Sequence, residues 1–281
     1  MYLQFRHYTV YLCFNSKQMR LLPIYLLLAV YFLLQSCSNV EGCNDPLAKN
    51  YNAEADKTCC CEYYQLRFDM AHSIDRLGTN FNLMEFYYDL SGDAYQVKSS
   101  SILISSVSLL RADGSAVLVK DTVLLTLQDG SSVWTIDDYA ILKPGTFVND
   151  IGSFIDFGNY EKVRFLVGLQ GIALNTDGTA ITTSSNPLAS ANGFYNLSNT
   201  EYRFGRWELI KNITDTTIYE LKDTVWIELP YSVTAVDGVD TKIPIGLNYN
   251  KLFEGISFVN EDSTAIIQKI KNNTRNAFFI Q

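Results

Sequence analysis

From residue 63 onward the chain is built of short apolar–polar alternations, each ended by a turn signal. This punctuation limits the possible folds more than any other feature. Tyr64, Leu66 and Phe68 alternate with Gln65, Arg67 and Asp69, and a period of two sends successive side chains to opposite faces of a strand. Strand-like runs recur at 95–97, 102–111, 117–119, 123–127, 133–136, 163–167, 202–207, 217–221, 224–229, 232–236 and 242–247. Asp113-Gly114, Asp129-Gly130, Pro144-Gly145, Lys222-Asp223 and Asp237-Gly238 stand between or beside them, and such pairs favour hairpin and loop turns. About a dozen short strands at this spacing predict an all-β, antiparallel sandwich of the Ig-like, Greek-key type. Two short helices are expected near the C-terminus. One runs over 248–253 before Gly255. The other covers 264–272 behind an Asp262-Ser263 cap, with Ile266, Ile267 and Ile270 as its core stripe.

The N-terminus reads differently. After Arg20 comes an apolar run over 21–34. It falls short of the roughly 20 residues a spanning helix needs and has the length of a signal-peptide core. It closes on Leu34-Gln35-Ser36-Cys37, which resembles a bacterial lipobox, with Cys37 the expected site of lipid attachment. Residues 1–36 are thus expected to be a signal peptide, Met19 offering an alternative start that leaves 1–18 outside it. Cleavage before Cys37 removes Arg6, Lys17 and Arg20 and no acid, so the net charge moves from −8 to −11. An acidic surface argues against a nucleic-acid partner, whose phosphates it repels.

Residues 37–62 form a second segment. Gly42-Cys43-Asn44-Asp45-Pro46 leads through Asn50-Tyr51-Asn52 to Cys59-Cys60-Cys61-Glu62-Tyr63. This resembles a small cysteine module of exported bacterial surface proteins, with Ala53 where that pattern has Pro. So few apolar residues cannot make a core, so cross-links are required. Cys43, Cys59, Cys60 and Cys61 are expected to form the bridges, Cys43 pairing with one of the triplet, since adjacent cysteines do not readily join each other.

Between the strands at 163–167 and 202–207 lies a long span rich in Asn, Ser, Thr and Gly. A loop of that length is usually functional or mobile, and its Phe194 and Tyr195 argue that it packs. The order Gly168-Leu169, Asn175, Pro187-Leu188, Asn192-Gly193-Phe194-Tyr195, Tyr202-Arg203-Phe204, Trp207-Glu208-Leu209 resembles the MbnP-like copper-binding protein domain. The likeness runs from about residue 64 to 281, with Tyr195 in place of the family's usual Trp and Glu201 in place of its Gly. It implies copper binding outside the cytoplasm and, in some members, a tryptophan oxidised by a partner di-haem enzyme.

Catalytic signals are sparse. There is no Gly-x-Ser-x-Gly elbow, phosphate-cradling glycine loop or CxxC motif. Asp137-Asp138 reads as a solvated pair in a turn. The chain is not expected to be an enzyme. Copper requires imidazole, thioether or thiolate, and His72 is the only histidine beyond the signal segment. Met70 lies two residues away and shares its face if the strand continues. His72 and Met70 are therefore the candidate copper ligands, with Tyr195 and Trp207 as candidate pocket residues if the long loop folds back. The plainer reading makes His72 a loop or edge residue without metal. These features together predict a lipid-anchored binding protein of the bacterial outer membrane, with 63–281 as its β domain. The alternative is a non-metal interaction or adhesion domain whose 171–200 loop meets a protein or a glycan.

Overall fold

A computed structural model describes residues 40–211 and 215–281. The expectations for the signal segment and Cys37 lie outside the described residues. Among the described residues two compact units are distinguished, one comprising 40–46 together with Asn50–Cys61, the other Leu47–Lys49 and the described residues from Glu62 onward.

The smaller unit pairs Glu41–Gly42 with Lys57–Thr58 in parallel, and a further parallel bridge joins Cys43 to Tyr51. Cys43, 1% exposed, bonds Cys61 across a Cα–Cα distance of 4.8 Å. Cys59 and Cys60 carry free thiols, which corrects the expectation that all four cysteines bridge. The reason is spacing. Once Cys61 has taken Cys43, only two successive residues remain, and their Cβ vectors do not meet disulfide geometry readily.

The larger unit is built on nine strands: β1 (Gln65–Ser73), β2 (Ala94–Leu110), β3 (Val148–Ser153), β4 (Gly158–Val167), β5 (Gly205–Lys211), β6 (Asp215–Leu221), β7 (Val225–Ala235), β8 (Thr241–Asn248) and β9 (Phe278–Ile280). Two helices, α1 (Tyr249–Leu252) and α2 (Ser263–Ala277), lie between β8 and β9. One sheet has the order β6-β5-β2-β4-β7, and the short strands Phe86–Tyr88, Ala116–Leu118 and Ala140–Leu142 also pair with β2. The other has the order β3-β1-β8-β9. All these pairings are antiparallel except β1 with β8, which run parallel from Leu66↔Thr241 to Ser73↔Asn248.

The inner faces of the two sheets make one core. Phe165 of β4 receives Phe68 of β1 at 5.5 Å and Phe278 of β9 at 5.2 Å, both edge to face, the arrangement that aromatic quadrupoles favour. β1 alternates from Gln65 to His72, with Leu66, Phe68, Met70 and His72 inward. The two segments expected at 95–97 and 102–111 are one strand, β2. The polar Lys98-Ser99-Ser100-Ser101 between them continues the ladder because Ser99, Ser100 and Ser101 pair with Glu208, Trp207 and Arg206. Likewise 224–229 and 232–236 join through Pro230 as β7. This strand closes the edge of its sheet, where a missing N–H is tolerated, and its register shifts beside Pro230.

The long loop packs, as its aromatics implied. Leu188, Phe194 and Tyr195 are buried. The Asp177 N–H donates to the Thr126 carbonyl at 2.9 Å, and Gln128 N–H to Asn175 at 2.8 Å. These bonds tie the loop to the hairpin Thr122–Thr126/Ser132–Ile136. The loop's own hairpin, Tyr195–Asn196 with Glu201–Tyr202, is held by the Tyr202 hydroxyl donating to the Leu188 carbonyl at 2.8 Å.

Candidate metal site at His72

The alternation of β1 carries Met70 and His72 to the same inward face, as a period of two demands. His72 is 7% exposed. It lies in an interior strand opposite Leu247 of β8, so the reading of a loop or edge histidine is corrected. Met70 is 4% exposed. Both line a cavity of about 520 Å³ together with Asn80, Phe81, Leu83 and Phe147.

The two ring nitrogens of His72 have different surroundings. Nδ1 stands 3.1 Å from the Tyr249 hydroxyl. That hydroxyl donates to Ser100 Oγ at 2.9 Å, so its oxygen faces His72 as an acceptor. With the imidazole proton on Nδ1, toward that oxygen, Nε2 carries the lone pair. Nε2 is buried and has no hydrogen-bond partner among the described residues. Burial drives the pKa of His72 down to about 4, against a smaller opposing pull from the Lys143 carbonyl. That carbonyl stands beside the ring as a hydrogen-bond acceptor, although no bond from Nε2 has good hydrogen-bond geometry. At neutral pH the side chain is thus an uncharged imidazole with Nε2 on a cavity wall. A histidine whose second nitrogen is fixed by a hydroxyl or carbonyl is the arrangement that metal sites use to orient a ligand.

Tyr249 and Ser100, which set this tautomer, were not anticipated from sequence. Tyr249 is fully enclosed, and its ring stacks on Phe81 at 3.6 Å between centroids. Its signal was only an aromatic residue following a strand, 177 positions from His72.

Tyr195 and Trp207 are not among the residues lining this cavity. Tyr195 packs against Tyr202 at 5.1 Å in the loop hairpin. Trp207, 1% exposed, lies over Gly205, with its Nε1 buried and unbonded among the described residues. The Asp137-Asp138 pair is not a solvated turn either. Asp138 is 4% exposed and accepts the Val107 N–H at 2.8 Å, and burial pushes its carboxyl up to about 6.

Among the described residues no group of three or more His, Cys, Asp or Glu could hold a metal. The soft donor types on this cavity's wall are one imidazole, His72, and one thioether, Met70, from the same strand. Such a soft, low-count set suits copper(I).

The profile of the MbnP family matches residues 63–270. Among solved structures, MbnP from Methylosinus trichosporium is similar over 69% of this chain and 78% of its own, at 16% identity and a TM-score of 0.39. No curated protein matches the chain. The family profile covers most of the β domain, from the residue before Tyr64 into α2. The chain belongs to the MbnP family.

Proposed function

We propose that this protein is a lipid-anchored, extracytoplasmic binding protein that takes copper(I) weakly at His72, with Met70 as the second donor. One observation carries the reading: Nε2 of His72 is buried on a cavity wall and makes no hydrogen bond of good geometry. The neutral state of the ring means that no proton need be displaced to bind the ion at pH 7. Two donors give an open and weak site.

The test is competition with a copper(I) chelator under reducing, anaerobic conditions. It is run in a Cys59→Ser/Cys60→Ser background, because the free thiols would otherwise bind the ion themselves. One equivalent is expected to bind. His72→Gln should abolish it, Met70→Leu should weaken it about tenfold, and Tyr249→Phe should weaken it by freeing the imidazole tautomer. Stoichiometric copper retained by His72→Gln would sink the assignment. The low donor count favours a second reading, an interaction domain without metal, and failure of the parent chain to take up copper would select it.

A further inference from the structure

A second cavity, of about 790 Å³, opens beside the edge strand β3, below the 183–192 part of the long loop. It is separate from the His72 pocket. The turn at 143–147 divides them, with Lys143 and Thr146 on one side and Pro144, Gly145 and Phe147 on the other. Its volume lies in the range of about 300–1,000 Å³ typical of small-molecule sites, and its walls mix polar and apolar groups about evenly. Asp121, Asp137, Tyr139, Lys143, Asn149 and Ser185 all line it.

Asn149 stands out among them. It is 8% exposed, and its Nδ2 is buried without a partner among the described residues. A buried amide that donates to nothing costs stability unless a ligand or water completes it. Two carboxylates flank the same space. Asp121 accepts the Ser153 N–H on Oδ2 at 2.8 Å, so Oδ1 is not committed to that bond. Asp137 follows through its own N–H, which donates to the Asp121 carbonyl at 2.9 Å. Burial raises the Asp137 carboxyl, and the Asp121 charge adds to the effect. Asp150, also on the wall, is engaged by Arg67 at 2.8 Å.

The donor and acceptor pattern selects the ligand. An anion meets two carboxylates. A cation meets the positively charged Lys143 on the same wall. An added peptide strand meets an edge already closed at one end, where Lys120 N–H donates to the Ser153 carbonyl at 2.9 Å. Paired hydroxyls satisfy the site, because each donates to a carboxylate oxygen and accepts from an amide. We propose that this cleft binds a neutral saccharide, with vicinal hydroxyls donating to Asp121 and Asp137 and a sugar oxygen accepting from Asn149 Nδ2.

The experiment titrates the full chain by calorimetry with cellotriose, maltotriose, laminaritriose, mannotriose and triacetylchitotriose, in calcium-free buffer. At least one should bind. Asp137→Asn and Asn149→Ala should each weaken it about tenfold or more, the loss of one good buried hydrogen bond to a charged or amide group. Their thermal transitions report whether the fold is intact, and Asp137, only partly buried, serves if Asn149→Ala is destabilised. His72→Gln should leave sugar binding unchanged, which separates this site from the copper reading. Three results overturn the proposal: no trisaccharide binds, binding is indifferent to both cleft substitutions, or the cleft instead takes stoichiometric calcium that Asp137→Asn abolishes.

Discussion

His72 and Asp138 are buried titratable groups whose pKa values move toward each other, and they act on stability in opposite directions. His72 ionises near pH 4 in the fold against 6.5 in an open chain. Between those values the unfolded state holds more protons, so stability falls as pH drops from 6.5 to 4, by about 3 kcal/mol. Asp138 is raised from 3.8 to about 6 by burial. In that window the folded state holds the proton more tightly, so stability rises as pH falls from 6 to 3.8, again by about 3 kcal/mol. The two nearly cancel in the parent chain. Compared with it, His72→Gln should gain stability on going from pH 6 to 4, and Asp138→Asn should lose it. Urea midpoints for the three proteins across that range are the measurement, and parallel curves would refute both assignments. At this scale the sequence was partly legible. His72 and Met70 were marked by scarcity and by a spacing of two. The tautomer was not, because Tyr249 reaches His72 across 177 residues and is itself oriented by Ser100 across 149. Asp138 misled because two adjacent acids look solvated, whereas one of them turns inward to accept the Val107 N–H.

Elements with an apolar alternation were readable, and those whose inward positions are polar were not. β1, β6 and β8 follow the expected runs closely, whereas the run at 202–207 divides, Tyr202 joining the loop hairpin and β5 starting at Gly205, and the hairpin at Thr122–Ile136 turns on Asp129-Gly130 as its sequence implied. β3 escaped notice because its Val148-Asn149-Asp150-Ile151-Gly152-Ser153 places Asn149 inward and Val148 outward, reversing the usual pattern. α2 was foreseen from its cap. The Asp262 carboxylate accepts the Thr264 and Ala265 N–H groups, each at 2.9 Å, satisfying two of the donors that a helix start leaves open. Asp262→Ala should cost about 1 kcal/mol, and an unchanged thermal transition would refute it. Gly246 of β8 makes a sharper case, because a Cβ there would collide with the Phe279 ring on the neighbouring β9. Gly246→Ala should cost about 1–3 kcal/mol through overpacking. Adding Phe279→Ala should cost less than the sum of the two single changes, since the collision is gone. Simple additivity in that cycle would show that ring and backbone do not meet.

Closure of the larger unit depends on strands far apart in sequence, and here sequence reading ran out for a physical reason. Hairpin partners announce themselves by the turn between them. The parallel neighbours β1 and β8 have no shared turn, and their partnership, from Leu66↔Thr241 to Ser73↔Asn248, leaves no local mark. β9 then completes that sheet. It pairs with β8 from Ile245↔Ile280 to Leu247↔Phe278, and Gln281 adds its N–H to the Pro244 carbonyl at 3.1 Å and its side chain to Ile245 at 2.8 Å. Phe278, 2% exposed, sets its ring edge on Phe165 in the opposite sheet. One short strand therefore closes a sheet edge and also joins the two layers. Phe278→Ala should cost about 3–5 kcal/mol, the range for emptying a buried aromatic site. Deleting residues 278–281 should cost more than that substitution, because it also exposes the β8 edge and removes the ladder bonds. Urea unfolding of the two variants decides the matter. A deletion no worse than Phe278→Ala would mean that the ring alone matters and the strand's pairing adds nothing to closure.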